Sequence, residues 1–239
     1  MKIASWNLNH RTLEKPIPDT VGTALESLGA DVIILNEFVD GPSRTAFKQQ
    51  LNDIGYSDIA ISDKFPKQNQ ILIASRTLQR SGDLSPPGLT VAATSNFLHR
   101  KLPDLGIEIV GVRPPAYKLK SEQEQYWEQL SSIISQAKGR NILFAGDLNA
   151  DPDNSKYVGG KVLDAIRKDD AWNIPNPDGE WSYISSDGKR SSRIDHVVCS
   201  STFEQTHARY VYAIDNIVLA GPKGSNPVSD HAVLLVQVS

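Results

Sequence analysis

The sequence predicts a mixed α/β fold organised as one domain, on three observations. Strand-like runs rich in Ile and Val recur along the whole chain, each bounded by Gly, Pro, Asn or Asp. Helical patterns fall between some of these runs but not all, and no repeat, linker or low-complexity tract divides the 239 residues. The runs at 70–75, 89–97 and 107–113 follow one another with no helix between them, which predicts antiparallel pairing and argues against a purely doubly wound sheet. A chain of this length can bury roughly 70–75% of its unfolded surface, so a sizeable core is available without a partner.

In chain order, strands are expected over 2–8, 31–37, 70–75, 89–97, 107–113, 141–147, 193–199, 208–214 and 231–238. Helices are expected over 19–29, 43–54, 121–138 and 158–168, with Ser121 and Glu124 reading as a capping box at the start of the third. The Pro/Gly/Ser stretch 221–229 reads as a loop before the last strand. Trp6 and Trp127 read as packing residues.

Composition narrows the function classes. With 39% hydrophobic and 22% charged residues the chain is a soluble globular type, and its net charge of −3 excludes a global positive field of the kind that attracts phosphates non-specifically. Any basic surface must be local. The amino terminus runs directly into a strand pattern without the series of charged region, apolar stretch and cleavage site that marks an exported chain, and no apolar run reaches the length of a membrane span. Cys199 is the only cysteine, so an internal disulfide and a cysteine zinc cluster are both excluded. Within Val197-Val198-Cys199 it reads as a small buried hydrophobe, and a cytoplasmic protein is expected. No protein partner is indicated.

Several strands turn polar at one end. Phe144-Ala-Gly-Asp-Leu-Asn-Ala-Asp-Pro152 places Asp147 and Asn149 two apart after an apolar run, a spacing that Asn7 and Asn9 repeat after Ile3-Ala4-Ser5-Trp6. In an extended chain residues two apart share a face. Asp31-Val-Ile-Ile-Leu35 ends in Asn36-Glu37, with Glu37 in phase with Ile33 and Leu35. Asp195 and His196 open one strand, and Asp230 and His231 stand before the final one. Each residue alone has a structural explanation, such as an Asx turn for Asp147 and Asn149 or a solvated strand end for Glu37. Together they supply hard oxygen donors and an imidazole at strand ends, where layered α/β folds open a crevice. His196 falls on the opposite face from Asp195 and reads as structural, as do His10, His99 and His207, which lack acidic neighbours at ligand spacing.

The ordered set "SWNLN" (5–9), "LNEF" (35–38), "GDLNADP" (146–152), "SRIDHV" (192–197) and "SDHAVL" (229–234) resembles the endonuclease/exonuclease/phosphatase superfamily of DNase I-like and exonuclease III-type enzymes. The resemblance implies a four-layer α/β sandwich, with two mixed, mostly antiparallel sheets packed face to face and helices outside. It implies metal-assisted phosphoester hydrolysis with Mg²⁺ or Mn²⁺. Glu37 is then the chief metal ligand, helped by Asn7 and Asn9, with Asp230 able to hold a second ion. Asp147 would orient or deprotonate water, Asn149 would donate to the scissile phosphate, and Asp195 would hold the imidazole of His231. At "GVRPPAY" (111–117), where many members place a His or Tyr, this chain has Arg113, which can bind a phosphate but cannot act as an acid or base.

The stretch "EWSYISSDGKRSSRID" (180–195) resembles the Trp-containing loop of exonuclease III-type nucleases and nominates Trp181, Lys189, Arg190 and Arg193 for substrate binding. The favoured substrate is a nucleic acid, DNA or RNA. The alternatives are a phosphatase or phosphodiesterase for a small or lipid phosphoester, and a catalytically silent binding protein on the same fold.

Overall fold

The computed structural model describes residues 1–9, 16–88, 90–115 and 117–239. His10 lies outside the described residues. In chain order the elements are β1 (Lys2–Asn7), α1 (Asp19–Leu28), β2 (Val32–Phe38), α2 (Thr45–Asp53), β3 (Asp58–Ile61), β4 (Gln70–Ser75), β5 (Arg80–Ser81), α3 (Val91–Ser95), β6 (Phe97–Leu102), β7 (Ile107–Val112) and α4 (Lys120–Gln136). There follow β8 (Ile142–Asp147), α5 (Val158–Arg167), β9 (Trp172–Asn173), β10 (Tyr183–Ile184), β11 (Ser191–Ser192), β12 (Asp195–Ser200), β13 (Thr206–Val211), β14 (Ala213–Ile214), β15 (Ile217–Val218) and β16 (Val233–Val238).

Two six-stranded sheets form the frame, ordered β13-β16-β1-β2-β4-β3 and β5-β6-β7-β8-β12-β9. In each, one central pair is parallel, β1 with β2 and β7 with β8, and the other pairings are antiparallel. Strand alternation sorts the side chains into layers. Ile3, Ile34, Ile71 and Ile73 of the first sheet pack between the sheets against Ile109, Leu143, Val197 and Cys199 of the second. The opposite face of the first sheet, with Ala4, Trp6, Ile33 and Leu35, buries Val21, Leu25, Phe47 and Leu51 of α1 and α2. The outer face of the second, with Val110, Phe144 and Val198, buries Trp127, Leu130, Leu163 and Ile166 of α4 and α5. Helix, sheet, sheet, helix is the four-layer sandwich expected. Gly111 lets the sheets approach, since a Cβ there would sit 2.5 Å from Ile71 Cγ2.

Several local expectations are corrected. Residues 91–95 of the strand expected over 89–97 form α3, because the Thr90 side chain accepts from the Ala93 amide and caps a helix in a run whose Val and Thr content suggests a strand. The short strand β3 was not expected at all; its half-buried residues pair with β4 at the sheet edge. The Ser121 capping box does not form, since α4 begins at Lys120 and Ser121 lies inside the helix; Glu124 instead meets Lys120 at 3.3 Å.

His99 does have acidic neighbours, brought by the fold and not by sequence spacing. Its Nε2 lies 2.8 Å from Glu108 across the β6–β7 pair, and Asp83 approaches its Nδ1 at 3.7 Å. Arg140 and Lys101 neutralise both acids, so the group is a structural ion cluster. Cys199 is buried, and burial pushes its thiol up to about 12, as a packing residue requires.

Candidate active site

Parallel pairing makes β1 and β2 end side by side, and likewise β7 and β8. Asn7 closes β1 in phase with Ile3, and Asp147 closes β8 in phase with Leu143 and Ala145, so both point into the layer between the sheets. β12 runs antiparallel to β8 with Asp195 in register with Asp147. Three polar side chains thus meet at one end of an otherwise apolar layer. Gly146 permits this convergence, because a Cβ there would lie 2.0 Å from the Val112 carbonyl.

The two Asn-containing motifs fold alike. Asn7 Oδ1 accepts the Asn9 amide at 2.9 Å, and Asp147 Oδ1 accepts the Asn149 amide at 3.0 Å. Each is an Asx turn that throws the second Asn into the left-handed region, with φ of 50° at Asn9 and 49° at Asn149. Asparagine tolerates that region better than most residues. Asn7 Nδ2 then donates to Asp147 Oδ2 at 2.9 Å and ties the two turns together.

Glu37 also has positive φ, 56°, at a break in the β2–β4 register between Leu35 and Phe38. The simple alternation that put Glu37 in phase with Ile33 and Leu35 would send its carboxylate toward α1 and α2. The bulge turns it into the site instead, at the cost of a strained backbone that a glutamate seldom adopts. There Arg113, just past β7, donates from Nη2 to Glu37 Oε1 at 2.6 Å and from Nε to Asp147 Oδ2 at 3.3 Å.

On the far side, Asp195 Oδ2 lies 2.9 Å from His231 Nδ1, with side-chain exposures of 1% and 7%. Burial alone would lower the imidazole pKa and raise that of the carboxyl. For His231 the attraction of Asp195, with Asp147 and Asp230 nearby, outweighs burial and raises the ring to about 9. Burial is the larger influence on Asp195 and raises it against the pull of His231. The direction at the ring is set by the neighbouring carboxylate, which favours the charged imidazole.

Ser229 positions this end by donating to the Asn7 carbonyl at 2.6 Å and accepting the His231 amide at 3.1 Å. Tyr183 packs its ring 5.1 Å from that of His231. In the sequence Ser229 is marked only by membership of "SDHAVL", and Tyr183 only by its place in the 180–195 stretch.

Asn7, Asn9, Glu37, Arg113, Asp147, Asn149, Asp230 and His231 line one cavity of about 280 Å³, with Tyr183, Ser192 and Ile194. Asp195 stands behind His231. Asn149 Nδ2 donates to the Pro114 carbonyl at 3.0 Å, so part of its amide is committed to backbone. The 180–195 nominees lie outside this cavity. Lys189 and Arg190 are exposed at the tip of the β10–β11 hairpin. Trp181 packs against Tyr212 with ring centroids 4.6 Å apart. The Arg193 guanidinium donates to the Gly179 and Pro177 carbonyls at 2.7 and 2.6 Å and stacks over Tyr210, so the fold itself holds this side chain. His196 turns away to the Arg193 carbonyl at 2.8 Å, as expected of a residue on the opposite face.

The model of the Endonuclease/Exonuclease/phosphatase family matches residues 4–231. The chain belongs to that family. No curated protein matches it by sequence. Solved structures similar in fold include truncated TDP2 from Caenorhabditis elegans, at 15% identity and TM-score 0.69 over 99% of this chain and 96% of that one. An AP endonuclease from Archaeoglobus fulgidus aligns at 16% identity and TM-score 0.68 over 100% of this chain and 99% of that one. The 3'-5' exonuclease NExo from Neisseria meningitidis aligns at 17% identity and TM-score 0.64 over 100% of both chains. NExo from Neisseria is also described as a 3' phosphatase, bound to a product DNA hairpin.

The donor set fits the divalent cation that the Endonuclease/Exonuclease/phosphatase fold implies. Glu37 and Asp147, 2% and 1% exposed, already converge on one cation, the Arg113 guanidinium. Asn7, Asn9 and Asp230 line the same cavity and offer further oxygens, the hard chemistry that suits Mg²⁺ or Mn²⁺. Asp147, Asp195 and His231 also bring potential ligand atoms within 4.8 Å of one another. In that trio the His231 Nδ1 is already hydrogen-bonded to the Asp195 carboxylate.

Proposed function

We propose that this family member is a divalent-metal-dependent phosphoester hydrolase and that its substrate is a nucleic acid. The observation that carries the reading is the convergence in one cavity of a buried carboxylate pair, Glu37 and Asp147, with an imidazole held by Asp195. A cation held at Glu37 would neutralise charge on a phosphate oxygen. Asp147, fixed by Asn7 and by the Asn149 amide, is placed to orient or deprotonate the attacking water. Its hydrogen bond to Asp195 leaves His231 with Nε2 for the substrate, and a ring that stays charged near neutrality supports contact with the developing phosphate charge over proton abstraction. Asn149 and Arg113 offer further donors to the phosphate.

Three features support a nucleic acid. The AP endonuclease, the 3'-5' exonuclease and the 3' phosphatase with its DNA hairpin are all similar in fold. Lys189 and Arg190 stand exposed on the hairpin whose base adjoins the cavity at Tyr183 and Ser192. A second cavity of about 250 Å³, lined by Ser186 and Lys223, shares Asn9 and Asp230 with the first and extends the groove beside the site. A phosphatase for a small substrate is the second reading, supported by the modest size of the main cavity. A cytoplasmic setting belongs to the proposal and rests on the lone cysteine. Among the described residues no helix is long and apolar enough to cross a membrane.

The test is a panel assay. Pure protein with Mg²⁺ or Mn²⁺ is offered single-stranded DNA, duplex DNA with an abasic site or a 3' phosphate, RNA, and small phosphoesters. Cleavage of a nucleic acid far above the small phosphoesters supports the proposal; turnover of small phosphoesters alone would replace it with the phosphatase reading.

A further inference from the structure

Arg113 raises a problem that the substrate-binding assignment leaves open. Its guanidinium reaches Glu37 at 2.6 Å and Asp147 at 3.3 Å, so it stands on the oxygens that a divalent ion would need. A guanidinium does not lose its proton in a protein, so its charge must be moved and cannot be titrated away. Two cations on one carboxylate oxygen repel each other. Two buried carboxylates repel each other as well, and the arginine between them reduces that cost.

The anchoring of the residue allows the side chain to move alone. Its backbone amide donates to the Asn96 carbonyl at 2.9 Å, and Pro114 and Pro115 follow directly, so the main chain is pinned on both sides. The side chain is 13% exposed and forms part of the cavity wall, facing the space a substrate would enter.

Resting on the metal-dependent reading above, we propose that Arg113 is a resident counter-cation of the metal site. It neutralises Glu37 and Asp147 in the metal-free protein, yields Glu37 when a divalent ion binds, and is thereby released to grip a phosphate of the substrate. Metal loading and phosphate capture are then linked through one side chain. A His or Tyr at this position would lack the permanent charge that the exchange needs.

The experiment is a Mn²⁺ titration of the whole protein without substrate, read by the loss of the free-ion electron paramagnetic resonance signal. It compares the wild type with Arg113→Ala, Arg113→Gln and Glu37→Gln. Removing a competing cation should tighten Mn²⁺ binding roughly threefold to tenfold in both Arg113 variants, the range expected when one charge pair no longer has to be broken. With Mn²⁺ bound, inorganic phosphate should bind more weakly to these variants than to the wild type. Unchanged or weaker Mn²⁺ binding in the folded Arg113 variants would overturn the proposal and make Arg113 a support that shapes the site. Arg113→Gln keeps hydrogen-bonding capacity and serves where Arg113→Ala does not fold. The metal reading fails separately: an absent Mn²⁺ site in the wild type, or full binding by Glu37→Gln, would remove that reading and this inference with it.

Discussion

His231 and Asp195 share a hydrogen bond of 2.9 Å in a setting where both are nearly closed to solvent. The carboxylate fixes the ring's orientation and, on the proposed reading, leaves Nε2 as the nitrogen available to substrate. His231→Ala should therefore lower turnover by ~10² or more while leaving Mn²⁺ binding intact. Asp195→Asn should lower it through the same ring, so the double variant should be little worse than His231→Ala alone. Near wild-type turnover by His231→Ala would show that the imidazole is not part of the chemistry.

The same pair makes a pH prediction for the metal-free protein. The folded pKa of His231 is raised from 6.5 to about 9, so the folded state holds the proton more tightly than the unfolded chain. That stabilisation is fully present below pH 6.5 and is lost as pH rises through about 9. The melting temperature should fall over this window, and His231→Gln should flatten the fall. A wild-type profile that stays level from pH 6.5 through about 9 would contradict the ion pair.

Asn149 separates backbone strain from chemistry. At φ of 49° a glycine fits without penalty, whereas an alanine is strained by roughly 1–2 kcal/mol. Asn149→Gly should melt higher than Asn149→Ala, yet both should lose activity to a similar degree because both lack the amide. If Asn149→Ala proved the more stable, the left-handed turn would not be the native conformation.

The hairpin tip and Arg193 should behave differently although they are neighbours in sequence. The substitution Lys189→Ala with Arg190→Ala should weaken nucleic-acid binding, reducing the log-affinity versus log-salt slope by ~0.9 per lost contact on duplex DNA or ~0.7 on a single strand. It should spare a small activated phosphodiester. Arg193→Ala should lower the melting temperature without altering the salt slope. Unchanged DNA and RNA cleavage across a salt series in the double variant would remove the hairpin tip from the recognition surface.

The sequence made the layers and much of the site legible because both follow from periodicity. Alternation in β1, β8 and β12 already placed Asn7, Asp147 and Asp195 on the face shared with Ile3, Leu143 and Val197. It failed at Glu37, where a register break and a positive φ reverse the side chain, and no local pattern announces such a bulge. It failed at residues 91–95, where one threonine cap converts a β-rich composition into a helix. The three carbonyl and amide acceptors from residues 176–179 that hold Arg193 arrive only through tertiary folding. His99 shows the same limit in reverse, since Glu108 meets it across a strand pair. The bridge from Arg113 to Glu37 and Asp147 spans three separate strand ends and is equally invisible before the chain folds.

The central claim is that Glu37 holds a divalent ion that phosphoester hydrolysis requires. It is tested most directly by following cleavage of a DNA substrate by wild type and Glu37→Gln across a Mg²⁺ titration begun in excess chelator. The account predicts no cleavage under chelation, recovery with Mg²⁺ or Mn²⁺ in the wild type, and a higher Mg²⁺ requirement for Glu37→Gln. Full cleavage by the wild type in excess chelator, or an identical Mg²⁺ dependence in the two proteins, would contradict it.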